Sequence, residues 1–240
     1  MLAWQLHPFS STETLVSEAA DRWLNQLESL RRPGRPLTVA LAGGRVAKSF
    51  LESVSRAASV RQFDFSGVHF FWGDERCVPP EDSESNFALA DAALFRPCGI
   101  PPTQIHRVKG EWTQAEAVTE AERVVRLHAA LNAQGFPILD LVVLGMGEDG
   151  HVASLFPDTP DAQAFSAMAY IPVLGPKPPP QRVSLTFGTL AAARHAWVIA
   201  SGAGKAEALN LALNEKSANP LGRLLRMRPA TEIFTDIVTP

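Results

Sequence analysis

Residues 139 to 157 read Leu-Asp-Leu-Val-Val-Leu-Gly-Met-Gly-Glu-Asp-Gly-His-Val-Ala-Ser-Leu-Phe-Pro, and this stretch decides the fold class. Leu139 to Leu144 form an apolar run of strand length. Glycines at 145, 147 and 150 then open a loop that delivers Asp149 and His151 two residues apart. Glycine admits positive φ and lets the backbone come close to a ligand. In an open α/β sheet, ligands collect at the carboxyl ends of the strands, so a loop of this kind is where chemistry is expected.

The order of strand, glycine turn and helix recurs on either side. Leu37 to Leu41 runs into Gly43-Gly44 and an amphipathic segment carrying Val46, Phe50, Leu51 and Val54. Val68 to Trp72 is too apolar to alternate, as expected of a parallel strand buried on both faces. It leads into Gly73-Asp74-Glu75-Arg76. Ala196 to Ala200 enters Ser201-Gly202-Ala203-Gly204-Lys205 and a helix through Leu213. This alternation predicts a Rossmann-like, doubly wound, mainly parallel α/β sheet with helices on both faces.

The remaining segments fit around that frame. Leu2 to Leu6 reads as a short strand. Ser10 and Glu13 read as a capping box for a helix whose inner face is Val16, Ala19, Trp23, Leu27 and Leu30, stopped by Pro33-Gly34. Asn86 to Leu94 reads as helical. Trp112 to Asn132 reads as a long helix with Val118, Ala121, Val125 and Leu131 inward and Gly135 as its stop. The segment after His151 is expected to be helical, Pro172 to Pro180 an ordered or lid-like loop, and Val183 to Thr186 a strand. No linker or repeat interrupts the pattern, so residues 1–240 read as a single domain.

Composition narrows the function. The net charge of -3 leaves no basic footprint for nucleic acid. No apolar run approaches membrane-spanning length, and Met1 to Pro8 lack a signal-peptide pattern, so a cytoplasmic protein is expected. Cys77 and Cys98 read as two reduced thiols. Neither has a second cysteine or histidine at ligand spacing, and no metal is expected.

Four loops follow strands, and adjacent parallel strands would bring all four to one rim. Gly43-Gly44 offers backbone N–H groups and a positive helix end to an oxyanion, although a plain tight turn explains it equally well. The loop is neither G-x-G-x-x-G nor a P-loop, so nucleotide binding is not supported. Lys205 falls in a first helical turn, where a cation is electrostatically misplaced, which either an anion or simple solvation would offset. Asp74-Glu75-Arg76 is open to two readings: a solvated turn with an internal ion pair, or an arginine that holds a substrate oxygen beside a polar Asp74. Asp149 and His151 make the sharpest pair, a neutral-pH base with a carboxylate to fix its tautomer. His69 and His128 read as structural, and His7, His106 and His195 have no partner legible in sequence. No G-x-S-x-G elbow occurs, and Ser154 is not taken as a nucleophile.

With these loops in hand, the chain resembles the 6-phosphogluconolactonases, in the superfamily that also holds glucosamine-6-phosphate deaminase. The resemblance runs from about Leu37 to about Leu213. It rests on Phe71 to Arg76 with Val78-Pro79 and Ser85-Asn86, on Leu144 to Pro157, on Pro176 to Pro179 with Arg182 to Thr186, and on Gly202 to Ala206. The first loop departs from the family pattern S-G-G-S-[TS]-P: here it is Ala42-Gly43-Gly44-Arg45-Val46-Ala47, without hydroxyls for phosphate. The resemblance implies hydrolysis of 6-phospho-D-glucono-1,5-lactone to 6-phospho-D-gluconate in the oxidative pentose phosphate pathway, with no metal and no organic cofactor. His151 is then expected as base and Asp149 as its partner. Arg76 is expected at the lactone oxygen, with Asp74 binding sugar hydroxyls or positioning Arg76. Gly43, Gly44, Arg45, Arg182 and Lys205 are expected at the 6-phosphate. A phosphosugar lactone is the expected partner and a monomer the expected state. The rivals are an amino-sugar-phosphate deaminase or isomerase on the same fold, and a non-catalytic sugar-phosphate sensor.

Overall fold

Runs of apolar residues set the frame in the computed structural model, which describes residues 4–228 and 230–238. In chain order the strands are β1 (Trp4–Pro8), β2 (Leu37–Leu41), β3 (Val68–Trp72), β4 (Asp74–Arg76), β5 (Leu141–Gly145), β6 (Tyr170–Leu174), β7 (Gln181–Leu185), β8 (His195–Ala200) and β9 (Thr231–Thr235). Six of them lie in the order β1-β9-β8-β5-β2-β3, every neighbouring pair parallel. The helices are α1 (Thr12–Leu30), α2 (Arg45–Arg61), α3 (Asn86–Ala90), α4 (Gln114–His128), α5 (Asp161–Ala164), α6 (Phe187–Ala192), α7 (Ala206–Ala212) and α8 (Pro220–Met227).

Side chains alternate across a strand, so a strand buried on both faces feeds two cores. Val39, Leu41, Phe70, Trp72, Leu141 and Val143 point to one side, where Trp23 and Leu27 of α1 and Phe50 and Val54 of α2 cover them. Ala40, Phe71, Val142 and Leu144 point to the other, beneath Val118 and Val125 of α4, Leu209 of α7 and Leu224 of α8. The doubly wound architecture with helices on both faces is therefore present. At the start of β5, buried Asp140 accepts from Thr38 N (2.9 Å) and Thr38 Oγ (3.1 Å) and pairs with Arg35 and Arg194. A carboxylate so enclosed is tolerable only because each oxygen has donors.

Several local expectations change. Leu2 lies outside the described residues, and the strand begins at Trp4. Ser11, not Ser10, caps α1, and Thr14 rather than Glu13 completes the box. The long helix stops at His128, and Leu131 is half exposed because it sits in the following turn, paired with Pro137. Gly135 belongs to that turn and does not terminate the helix. Residues 152 to 155 make a tight turn and not a helix, closed by Leu155 N–H donating to the Val152 carbonyl. The proline-rich stretch splits: Pro172 lies in β6, an edge strand where a missing N–H does no harm, and only residues 175 to 180 form the loop. Asp74 to Arg76 are not a turn but β4, which joins β7 and β6 in an antiparallel sheet, order β4-β7-β6.

Chain progression fixes where a ligand can sit. From β2 the sheet grows outward through β3, and from β5 it grows the other way through β8 and β9. The crevice between the carboxyl ends of β2 and β5 is thus the switch point, and open α/β sheets bind ligands there.

Candidate active site

A cavity of about 390 Å³ occupies that crevice, and all four glycine-bearing strand ends line it. Gly44 (φ 91°) precedes α2 and carries no side-chain cap, so the first N–H groups of a 17-residue helix are free to meet an anion. Asp74, Arg76, His151, Arg182 and Lys205 face the same space.

The His151 loop is built from the backbone up. Gly147 N–H donates to the His151 carbonyl (2.9 Å) and Gly150 N–H to the Gly147 carbonyl (3.1 Å), with Gly150 at φ 81°. Asp149 Oδ1 accepts from His151 N (3.1 Å) and pairs with His151 Nδ1 at 2.6 Å. A proton held on Nδ1 leaves the Nε2 lone pair free for a general base. Partial burial opposes ionisation of Asp149, but the hydrogen bonds and charge of His151 win and hold its carboxyl below the ordinary range. The loop is clamped from behind by α8, absent from the sequence reading: Leu221 N–H donates to the Gly150 carbonyl (2.9 Å), and the Asn219 side chain fills the space a Gly150 Cβ would need.

Asp74 is held by groups that sequence did not connect to it. Ser154 Oγ donates to Asp74 Oδ2 at 2.6 Å, and Asn86 Nδ2 donates to the Asp74 carbonyl at 2.8 Å. Ser154, buried within the 152–155 turn, thus positions Asp74. Glu75 is buried at the junction of β4 and α3, where it accepts from the backbone N–H groups of Arg76 (2.7 Å), Asn86 (2.8 Å) and Phe87 (2.7 Å) and from Ser85 Oγ (3.2 Å). Burial pushes its pKa up to about 7, while those N–H groups favour the carboxylate. The internal ion pair expected in this triplet does not form. Arg76 pairs instead with the Glu84 carboxylate (3.3 Å) and donates to the Glu84 carbonyl (2.8 Å), and its buried Nε has no partner among the described residues. Asp74 therefore does not position Arg76.

The four cations that line the cavity, Arg45, Arg76, Arg182 and Lys205, fall into two pairs. Arg76 and Arg182 stand directly opposite on β4 and β7, a like-charge pairing that costs stability unless an anion intervenes. Arg182 is buried, which lowers its pKa, and Arg76 lowers it further. Its guanidinium lies 5.5 Å from the Phe156 ring centroid, and His151 packs on that same ring at 4.6 Å. Lys205 caps α7 and is likewise lowered by burial and then by Arg45. Sequence grouped Arg182 with Lys205; the fold groups it with Arg76 and His151, and sets Arg45 beside Lys205.

A family model described as glucosamine-6-phosphate isomerases/6-phosphogluconolactonase matches residues 10–234. A 6-phosphogluconolactonase of Mycobacterium leprae is 36% identical over 211 residues, 85% of this chain and 84% of that protein. The solved 6-phosphogluconolactonase of Trypanosoma cruzi superposes with a TM-score of 0.85 at 27% identity, covering 98% of this chain and 96% of the other. A monomeric glucosamine-6-phosphate deaminase superposes at 0.80 with 17% identity, covering 96% and 97%, a likeness of fold alone.

Proposed function

The chain belongs to the glucosamine-6-phosphate isomerase/6-phosphogluconolactonase family, and from that premise we propose how it works as a lactone hydrolase on 6-phospho-D-glucono-1,5-lactone. The observation that carries the mechanism is the His151–Asp149 pair, opening on a cavity whose other charged groups, Asp74 apart, are cations. His151 Nε2 takes a proton from water as the water oxygen bonds to the lactone carbonyl carbon. The developing oxyanion is met by Arg76 and Arg182, whose mutual repulsion it relieves. Collapse breaks the ring C–O bond, and His151 returns the proton to the departing ring oxygen, giving 6-phospho-D-gluconate. Asp74, fixed by Ser154, accepts from sugar hydroxyls.

The 6-phosphate lies at the other cationic pair, with Arg45, Lys205 and the N–H groups after Gly43 and Gly44. Arg45 thus replaces by charge the hydroxyls missing from its loop. The product places the enzyme at the second step of the oxidative pentose phosphate pathway. The reading takes a single domain acting as a monomer. Two free thiols, Cys77 and Cys98, support a reducing, cytoplasmic setting.

The test is kinetic. With spontaneous hydrolysis subtracted, His151→Ala should lower kcat by roughly 100-fold or more. A loss of only a few-fold would remove His151 from the role of base, and ammonia release from glucosamine 6-phosphate would reassign the reaction.

A further inference from the structure

Outside the cavity, three histidines from distant parts of the chain converge. His69 lies in β3, one of the two edge strands of the main sheet; His106 follows the short bridge between Ile105 and Phe70; His128 is the last residue of α4. One ring nitrogen from each comes within 4.8 Å of the other two. His69 Nδ1 and His106 Nε2 are 2.8 Å apart, and the His106 and His128 ring centroids are 4.0 Å apart. The frame is fixed by backbone, since His106 N–H donates to the Phe70 carbonyl at 2.8 Å. Phe71 stacks on His106 with centroids 4.8 Å apart.

We propose that His69, His106 and His128 form a binding site for a divalent transition metal, zinc being the ion that suits three imidazoles and an open fourth position. His128 Nδ1 is spent on the Val124 carbonyl (2.9 Å), which directs its free lone pair from Nε2. This backbone bond to the second nitrogen is the contact that orients metal-ligating histidines. Burial lowers the pKa of His69 and pushes His106 to about 4, so both offer neutral imidazoles. Zn–N bonds of about 2.0–2.1 Å in a tetrahedron set nitrogens about 3.3 Å apart, inside the spread found here. On binding, the His69–His106 hydrogen bond is exchanged for two metal bonds, and the shared N–H moves to the outer nitrogen of its ring. No redox step or proton loss is required. The ion would staple the end of α4 to edge strand β3, using no residue of the catalytic cavity.

The test uses the full chain stripped with chelator and titrated with zinc by calorimetry, and with cobalt(II) by visible absorption. We expect one zinc per chain, tetrahedral cobalt bands and a rise in Tm. His106→Gln and His128→Gln should weaken zinc binding by more than about tenfold, the loss typical of disturbing even a supporting contact. His151→Ala should bind zinc as the parent does. Absence of stoichiometric binding, unchanged binding in both glutamine variants, or loss of binding in His151→Ala would overturn the proposal. Should the glutamine variants misfold, the parent chain decides the matter through carbethoxylation mapped by mass spectrometry. Zinc should protect His69, His106 and His128 from diethyl pyrocarbonate, and equal labelling with and without zinc would refute the site.

Discussion

Adding one methyl group at Gly147 should disable the enzyme without unfolding it. A Cβ built there meets His151 Nδ1 at 2.1 Å, His151 Cε1 at 2.2 Å and Asp149 Oδ1 at 2.6 Å. Ordinary non-bonded separations are about 3.5 Å, so the imidazole must retreat by about 1.4 Å. That movement opens the 2.6 Å bond to Asp149 and carries Nε2 away from the position a general base would need. Misplacing a catalytic group by about 1 Å costs on the order of 100-fold in rate, equivalent to about 2.7 kcal/mol of barrier. Gly147 does not have positive φ, so alanine adds no backbone strain, and Gly147 and His151 are only partly buried while Glu148 and Asp149 are exposed. The assay is kcat for lactone hydrolysis above the spontaneous rate, run beside a thermal melt. We expect kcat to fall about 100-fold and Tm to stay within a few degrees. A Gly147→Ala enzyme with parent-like kcat would show that the His151–Asp149 geometry is not what limits the reaction.

Three further outcomes follow from other contacts. Lys205→Ala should raise KM about tenfold to 100-fold and leave kcat nearly unchanged, because a charged hydrogen bond is lost far from the bond that breaks; a fall in kcat at constant KM would contradict the phosphate role. Glu75→Gln should cost about 1–3 kcal/mol in urea unfolding, since its amide N–H₂ would face donors where the carboxylate accepted four hydrogen bonds. Unchanged stability would mean that the junction of β4 and α3 does not need the charge. Asp236, at the end of β9, is opposed by slight burial yet held below the ordinary aspartate range by donors from Thr12, Ser201 and Gly202. The unfolded state then takes up this proton first as pH falls, so the group stabilises the fold above the ordinary aspartate value. That contribution disappears as pH drops through the lower folded value, and Asp236→Asn should flatten that limb of the stability curve.

The resemblance in sequence reached the family because its motifs sit at strand ends, where one short segment both closes a turn and presents a side chain. Asp149 and His151 are legible in this way: two residues apart on one glycine-rich loop, they lie within reach of each other whatever the rest of the chain does. Ser154 was not legible. Its partner Asp74 is 80 positions away, and the segment carrying it looks helical until packing folds it into a turn. Arg182 was named from its motif but grouped with Lys205, since nothing local reveals that β7 lies against β4.

What the sequence by itself determined is the parallel sheet, the four strand-end loops and the Asp149–His151 pair, because hydrophobic runs and glycine turns are local properties of the chain. Only the tertiary structure decided the rest. The crevice exists because the order in which strands are added reverses between β2 and β5. The small antiparallel sheet arises because β4 leaves the main sheet to pair with β7, which sets two arginines face to face. The histidine trio forms because β3, the segment before α4 and the end of α4 share one edge. Each of these is a contact between residues far apart in sequence, and such contacts are chosen by how all the buried faces fit at once.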